Sequence, residues 1–203
     1  MNRARRARVE FLASAVLLPV LVACACSPGS GERAAAGGPR VSRFVSTPGQ
    51  SMPRVCIPSA PERCFDARDD NCNGIIDEGC GVHTGLVQFV IAWDKPSADV
   101  DLQVTDPNGE LVEVARRTQS GLLKERDCPG PSGDCGGQNL ENVYLEEGDP
   151  LRGAYRVRVR LEKLGMDDPP VRVTLGARVG PRTYAFEFQL GRVEEERELI
   201  VEL

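Results

Sequence analysis

The sequence has few of the residues and motifs that most hydrolases use for catalysis. Its 203 residues include one histidine, His83, and neither a G-x-S-x-G nor an H-E-x-x-H motif. A nucleophilic triad needs a base beside its nucleophile, so we interpret His83 as an exposed linker residue and predict no catalytic residue. There is no basic excess either, since 25 basic and 30 acidic side chains give a net charge of −5. The chain therefore lacks the electrostatic footprint of a nucleic-acid-binding protein.

A hydrophobic run long enough to span a membrane is also missing. The longest apolar stretch covers residues 11–23 and is interrupted by Pro19, whereas a membrane-spanning helix needs about 20 apolar residues. Four arginines and no acidic residue occur in the first eight positions. This order of a basic segment, an apolar segment and small residues is typical of a signal peptide, predicted here for residues 1–23.

The signal peptide ends in Leu21-Val22-Ala23-Cys24, which resembles the lipobox of bacterial lipoproteins. The resemblance implies cleavage before Cys24 and acylation of that cysteine, with palmitate among the attached chains. Several chains together anchor a protein stably, because one chain gives only marginal binding. Cys26 is the alternative acylated residue, but no large apolar residue precedes it closely. Ala25, rather than aspartate, after the anchor favours the outer membrane.

Residues 24–53 are predicted to be a lipidated N-terminus followed by a disordered tether. The segment is rich in Gly, Ser, Pro and Ala and has too few apolar residues to form a core. Cleavage at Cys24 removes four arginines and Glu10, which leaves 21 basic and 29 acidic side chains and a net charge of −8. The exported chain is thus better suited to bind cations than to bind polyanions.

The cysteines predict a disulfide-rich module at residues 54–81. Four of them recur every eight residues, and this regular spacing in an exported chain implies two disulfides, with three pairings open. Two more bracket a glycine- and proline-rich loop that a local disulfide would close. These six are Cys56, Cys64, Cys72, Cys80, Cys128 and Cys135.

Inside the module, residues 69–77 have the spacing D-x-N-x-N-G-x-x-D, which is the first part of a calcium loop. Calcium takes several oxygen ligands, and the glycine permits the sharp turn. The twelfth position is Cys80 instead of the glutamate of an EF-hand. The alternative is a solvated turn that is held by disulfides and binds no ion. The predicted ligands are Asp69, Asn71, Asn73, the Ile75 carbonyl and Asp77, with Glu78 or Asp66 completing the shell.

Residues 64–80, C-F-D-A-R-D-D-N-C-N-G-I-I-D-E-G-C, resemble the metal-binding repeat named after the MopE proteins of bacterial surfaces. That repeat often occurs in several copies, whereas this chain has one. Asn71 and Asn73 stand where aspartates are common, which lowers the negative charge. Copper binding is associated with the namesake family, but an oxygen-rich loop suits calcium better.

From residue 82 to residue 203 the sequence predicts an antiparallel β-sandwich of roughly eight strands. Apolar and polar residues alternate with period two in short runs, and no segment has a convincing helical period. The predicted strands cover residues 86–93, 100–104, 155–161, 171–179, 184–190 and 198–203. The fold class is therefore mostly β, with the sandwich preceded by the small calcium-loop module and the disordered tether.

Two blocks of this region resemble the YfaP-type domain of bacterial secreted proteins, a β-sandwich. The first runs from Trp93 through A-D-V-D-L-Q-V to D-P-N-G at 106–109, and the second joins Q-N-L-E-N-V at 138–143 to G-A-Y-R-V at 153–157. Gln103 stands where that family commonly has histidine, so no role of that histidine is carried over.

A candidate second metal site lies within the sandwich. Asp99 and Asp101 alternate on a predicted strand and so share one face. Two carboxylates on one face repel each other unless a cation or donor lies between them. Together with Asp127 and Glu141, these two residues could hold a second ion. The alternative is that they are solvated acids at the end of a strand.

The leading functional hypothesis is a non-catalytic, calcium-binding lipoprotein that presents its β-sandwich to a protein or glycan at the cell envelope. A metal-dependent hydrolase or hydrolase accessory subunit, using the four carboxylates of the second site, is one alternative. A purely structural envelope component is the other.

Overall fold

The computed structural model describes residues 38–203, with the exception of 52, 59, 131, 132 and 134. The predicted signal peptide, the acylation site Cys24, the alternative Cys26 and the first part of the tether lie outside the described residues. Within the described part, no helix is long and apolar enough to cross a membrane.

The described chain forms ten β-strands. Six of them match the strands expected from the period-two pattern, and eight follow residue 82. The strands are β1 (Arg43–Ser46), β2 (Arg54–Val55), β3 (Val87–Trp93), β4 (Asp99–Thr105), β5 (Leu123–Arg126), β6 (Leu140–Leu145), β7 (Ala154–Lys163), β8 (Val171–Val179), β9 (Arg182–Leu190) and β10 (Glu196–Glu202).

The strands form two antiparallel sheets, which confirms the predicted fold class. One sheet has four strands in the order β1-β10-β7-β4, and the other has six in the order β2-β9-β8-β3-β6-β5. Side chains on successive strand positions point to opposite faces. In β4, Val100, Leu102 and Val104 are accordingly buried while the residues between them are partly exposed. These side chains meet those of β3, β7, β8 and β9 in one core between the sheets.

The prediction of a disordered tether is wrong for residues 43–46. This segment forms β1 and pairs with β10 at the edge of the four-stranded sheet. The Phe44 ring contacts the rings of Tyr184 and Phe186 at centroid distances of 4.8 and 5.3 Å. Backbone pairing and one aromatic side chain thus order a strand too short to show a recognisable pattern in the sequence.

The cysteine module packs on the outer face of the six-stranded sheet. Strand β3 is buried at every position, because one face lies in the sandwich core and the other is covered by the module. Ala67 and Ile76 of the module join Val90, Ala92 and Leu140 of the sheet in a second, smaller apolar cluster. Module and sandwich are therefore in direct contact across a buried surface.

Gly176 in the middle of β8 permits this contact. A Cβ atom at Gly176 would lie 2.4 Å from the carbonyl oxygen of Ala67 and 3.1 Å from Cδ1 of Ile76. Real Cβ atoms do not approach a backbone oxygen so closely, so only glycine lets the module backbone rest on the strand. Glycine within a strand commonly marks such a close approach.

We predict that Gly176→Ala lowers the free energy of unfolding by about 1–3 kcal/mol, because the added methyl group overpacks the contact with the module. Chemical denaturation of the mature chain measures this change. Gly191→Ala is the matched control, since a Cβ there has only an ordinary contact at 3.5 Å with Glu195. Equal stability of the two variants would contradict the assigned role of Gly176.

Candidate functional site

The two disulfides of the module interleave. Cys56 pairs with Cys72 and Cys64 pairs with Cys80, each across a sequence separation of 16 residues. This is one of the three possible pairings of the four cysteines that the sequence left open. Cys128 pairs with Cys135, as predicted from the loop between them. The calcium-loop sequence, residues 69–77, is thus held at both of its flanks by cross-links.

The carboxylate of Asp69 sets the curvature of this loop. Its Oδ1 accepts a hydrogen bond from the backbone N–H of Asn73 at 3.0 Å, and its Oδ2 accepts one from the N–H of Gly74 at 2.9 Å. Gly74 has a φ of 88°, a conformation that favours glycine. Oδ2 also accepts a hydrogen bond from Oγ1 of Thr183 on β9 at 2.8 Å. Because a carboxylate offers about four acceptor positions, Asp69 retains capacity for a cation.

The side chains of Asn71 and Asn73 converge on Glu78. Their oxygens accept the backbone N–H groups of Asn73 and Ile75, both at 2.9 Å. Their amide nitrogens each lie 2.5 Å from Oε1 of Glu78. The other oxygen, Oε2 of Glu78, is buried without a hydrogen-bond partner. Since an unpartnered buried carboxylate oxygen is costly, Oε2 of Glu78 could take a hard cation, whereas the amide nitrogens that contact Oε1 could not.

Asp77 is turned into the module. It is fully buried, and its two oxygens accept the backbone N–H groups of Asp66 and Ala67 at 3.2 Å each. Burial raises the pKa of Asp77 to about 6. The structure thus places the side chains of Asn71, Asn73 and Glu78 together. Asp77 instead holds the backbone at Asp66 and Ala67.

Glu62 is a contributor to this loop that the sequence did not reveal. Its Oε1 accepts the N–H of Asp77 at 2.9 Å, and its Oε2 accepts the N–H of Asp70 at 3.0 Å. Burial, followed by the nearby charge of Glu78, raises the pKa of Glu62 to about 7. Glu62 lies seven positions before the D-x-N-x-N-G spacing begins, so no motif position indicates it.

The candidate second site contains a cation supplied by the chain itself. Asp101, Asp127 and Glu141 bring ligand atoms within 4.8 Å of one another. Nζ of Lys124 lies 2.8 Å from Oε2 of Glu141 and 3.1 Å from Oδ1 of Asp127. Asp99, the fourth predicted residue, pairs instead with Lys163 at 3.3 Å across the β4–β7 pair.

Glu141 also connects the two sheets at their open edge. It is fully buried, and its carboxylate accepts the N–H of Leu102 on β4 at 2.6 Å and the N–H of Cys128 at 3.1 Å. Burial outweighs the attraction of Lys124 and raises the pKa of Glu141 to about 8. For Lys124, burial lowers the pKa but the charge of Glu141 raises it above the ordinary value. The close contact therefore couples the two groups, and each favours the charged form of the other.

His83 joins the module to the sandwich. Its Nδ1 lies 3.0 Å from a carboxylate oxygen of Glu125, and its ring stacks on Tyr144 at a centroid distance of 5.4 Å. Its backbone carbonyl accepts hydrogen bonds from the side-chain amides of Gln88 and Asn142, both of which are buried. The hydrogen bond that His83 donates to the Glu125 carboxylate raises the pKa of His83. These contacts agree with a linker position.

The chain matches no protein-family model, no curated protein and no solved structure. The likenesses to the MopE-type repeat and to the YfaP-type domain accordingly rest on the residues quoted for them above.

We predict that Lys124→Met lowers the free energy of unfolding by about 3–5 kcal/mol, because the buried carboxyl group of Glu141 loses the ammonium that partners it. Chemical denaturation checks this value. The double variant Lys124→Met with Glu141→Gln should recover a large part of the loss, since it removes the charge and keeps an acceptor. A cost below about 1 kcal/mol for the single variant would show that this ion pair is not structural.

Proposed function

We propose that this chain is a lipid-anchored, non-catalytic binding protein of the bacterial cell envelope whose cysteine module holds one calcium ion. The observation that carries the proposal is the loop of residues 69–78. Asn71, Asn73 and Glu78 converge there, Asp69 curls the backbone around them, and Oε2 of Glu78 lacks a partner.

Calcium fits this loop better than a transition metal does. The side chains of the loop carry oxygen atoms, although Asn71 and Asn73 turn their amide nitrogens toward Glu78. The four cysteines of the module are held in disulfides, so they offer no thiolate. Residues 69, 71, 73 and 78 would hold the ion with side-chain oxygens, and Ile75 with its carbonyl. The ion would supply positive charge in a loop where six carboxylates lie within residues 62–78. Its role in the proposal is to stabilise the module.

The absence of catalysis is supported by the position of Lys124. The hydrolase alternative needs a metal among Asp101, Asp127 and Glu141, but the Lys124 ammonium already contacts Glu141 and Asp127. Glu141 is also committed to two backbone N–H groups. The cluster is thus suited to joining sheets rather than to activating water. A purely structural envelope component remains the other alternative, and detection of a ligand separates it from the proposed binding protein.

Calcium should raise the melting temperature of the mature chain by roughly 5–10 °C at one hundred times its Kd, because the ion binds the folded state alone. Differential scanning fluorimetry with and without a chelator measures the shift. Glu78→Gln should lose most of it. Glu113→Gln is the control, since Glu113 is an exposed acid paired with Arg116 far from the loop in sequence. No stabilisation by millimolar calcium would refute the calcium proposal.

The anchor is expected on Cys24. Mass spectrometry of protein extracted from membranes should find an N-terminal peptide that begins at Cys24 and carries acyl chains, and Cys24→Ser should abolish the modification. Cys26→Ser is the matched control and should leave it intact. Acyl chains on Cys26, or a mature N-terminus without lipid, would contradict the assignment.

A further inference from the structure

The cysteine module has a very small apolar interior of its own. After β2, its described residues up to residue 81 form turns, bends and irregular chain. Among the apolar side chains that the structure describes in the module, Ala67 and Ile76 are the buried ones, and both pack on the six-stranded sheet. A segment of fewer than about 40 residues rarely buries enough apolar surface to fold alone. The module therefore depends on two supports, its disulfides and its contact with the sheet.

The two disulfides tie most of the module together. The bonds Cys56–Cys72 and Cys64–Cys80 interleave, so they join the chain from residue 56 to residue 80 into one cross-linked unit. A disulfide stabilises a fold mainly because it restricts the unfolded chain, and this restriction is lost when the bond is reduced. Reduction of both bonds thus removes one of the two supports.

The contact with the sheet is the other support, and it depends on the shape of the module. Its apolar part brings module side chains against Val90, Ala92 and Leu140 on the outer face of the sheet. Its polar part includes the hydrogen bond from Oγ1 of Thr183 to Asp69 at 2.8 Å. Both parts use module backbone that the disulfides hold in place. We therefore expect the contact to be lost when the disulfides open.

The core between the two sheets is formed by the sandwich itself. Its buried cluster consists of residues 87–201, and partly buried residues such as Phe44 and Leu203 border it. β3 and β8 keep this core face whether or not the module covers their outer face. Departure of the module would thus leave the sandwich folded, with apolar side chains of the outer face exposed to water.

A reductant in solution reaches the disulfides of the module more readily than the third disulfide. Cys64 is exposed, and Cys56, Cys72 and Cys80 are partly exposed. Cys128 is only 7% exposed and belongs to the core between the sheets. Thiol–disulfide exchange requires that a thiolate reach one sulfur of the bond. We therefore expect the module disulfides to be reduced first.

We propose that the module is a redox-controlled cover on the outer face of the six-stranded sheet. A thiolate of a dithiol reductant attacks one sulfur of a module disulfide, and the other cysteine sulfur leaves and takes up a proton. The second thiol of the reductant then attacks the mixed disulfide, which releases the remaining cysteine as a thiol and oxidises the reductant to its own disulfide. Each module disulfide thereby takes up two electrons and two protons.

In the reduced chain the module unfolds and leaves the sheet, and the apolar surface beneath it becomes accessible. Reoxidation of the four cysteines restores the cover. The inference goes beyond the proposed function, because it concerns the state of the sheet face and not the calcium loop. It holds with or without an ion in that loop.

Dye binding and hydrogen exchange test the cover together. The mature chain, made without its signal peptide and therefore without lipid, is measured in chelator before and after treatment with dithiothreitol. Mass spectrometry of alkylated cysteines identifies the disulfides that have opened. We expect the fluorescence of anilinonaphthalenesulfonate to rise severalfold when the module disulfides are reduced. Backbone amides of residues 64–80 should then exchange as in an unstructured peptide, while those of β7 and β10 stay protected.

Cysteine variants provide the matched comparison. A chain with Cys56→Ser, Cys64→Ser, Cys72→Ser and Cys80→Ser together should give the high dye fluorescence without any reductant, because its module cannot close. The control carries Cys128→Ser and Cys135→Ser, which remove the disulfide of the loop between β5 and β6. It should give low fluorescence before reduction and high fluorescence afterwards, like the unmodified chain.

Three results would overturn the proposal. One is unchanged dye fluorescence, or continued protection of residues 64–80, after both module disulfides are shown to be reduced. Another is loss of protection in β7 and β10 together with the module, because the sandwich would then unfold with its cover. The third is high fluorescence of the control variant without reductant, because loss of a disulfide elsewhere would then expose apolar surface equally well.

Discussion

The packing of the cysteine module on the outer face of the six-stranded sheet is the contact on which the rest of the arrangement depends. Gly176 removes a side chain from the centre of that face, and Ala67 and Ile76 fill the space. The same contact places Asp69 beside Thr183 and Arg68 beside Glu187 on β9. It thereby shapes the candidate calcium loop.

Polar contacts join the two sheets at the open edge of the sandwich. The edge strands β4 and β5 belong to different sheets, and no backbone ladder joins them. Glu141 spans this gap by accepting the N–H of Leu102 on β4 and the ammonium of Lys124 on β5. Without Lys124, the carboxyl group of Glu141 would be buried without its ammonium partner, at high cost. The acids predicted as a second metal site thus include a buried carboxyl group that is paired with Lys124.

Most of the sandwich could be predicted from the sequence, because strands with one core face show the period of two. β7 is an example, since its buried valines alternate with arginines. β6 was missed as a strand because it is buried on both faces and includes Glu141 and Asn142. β5 was missed because its sequence, L-K-E-R, reads as a solvated charged segment although Lys124 is buried. A strand is hard to recognise in the sequence when its buried polar residues pair with residues far away in the chain.

The candidate site was predictable only in part, for the same reason. Spacing alone indicated the loop from Asp69 to Asp77, because its hydrogen bonds are local. The contributions of Glu62 and Thr183 depend on the tertiary fold, and no local pattern marks them. Such contributions become visible only when the chain is folded.

Scanning calorimetry of the mature chain tests most directly the claim that the module and the sandwich form one folding unit. The contact through Gly176 predicts a single transition whose calorimetric and van't Hoff enthalpies agree, as for a two-state domain. Two resolved transitions, with the smaller one abolished by reduction of the disulfides, would show that the module folds independently and would contradict the account.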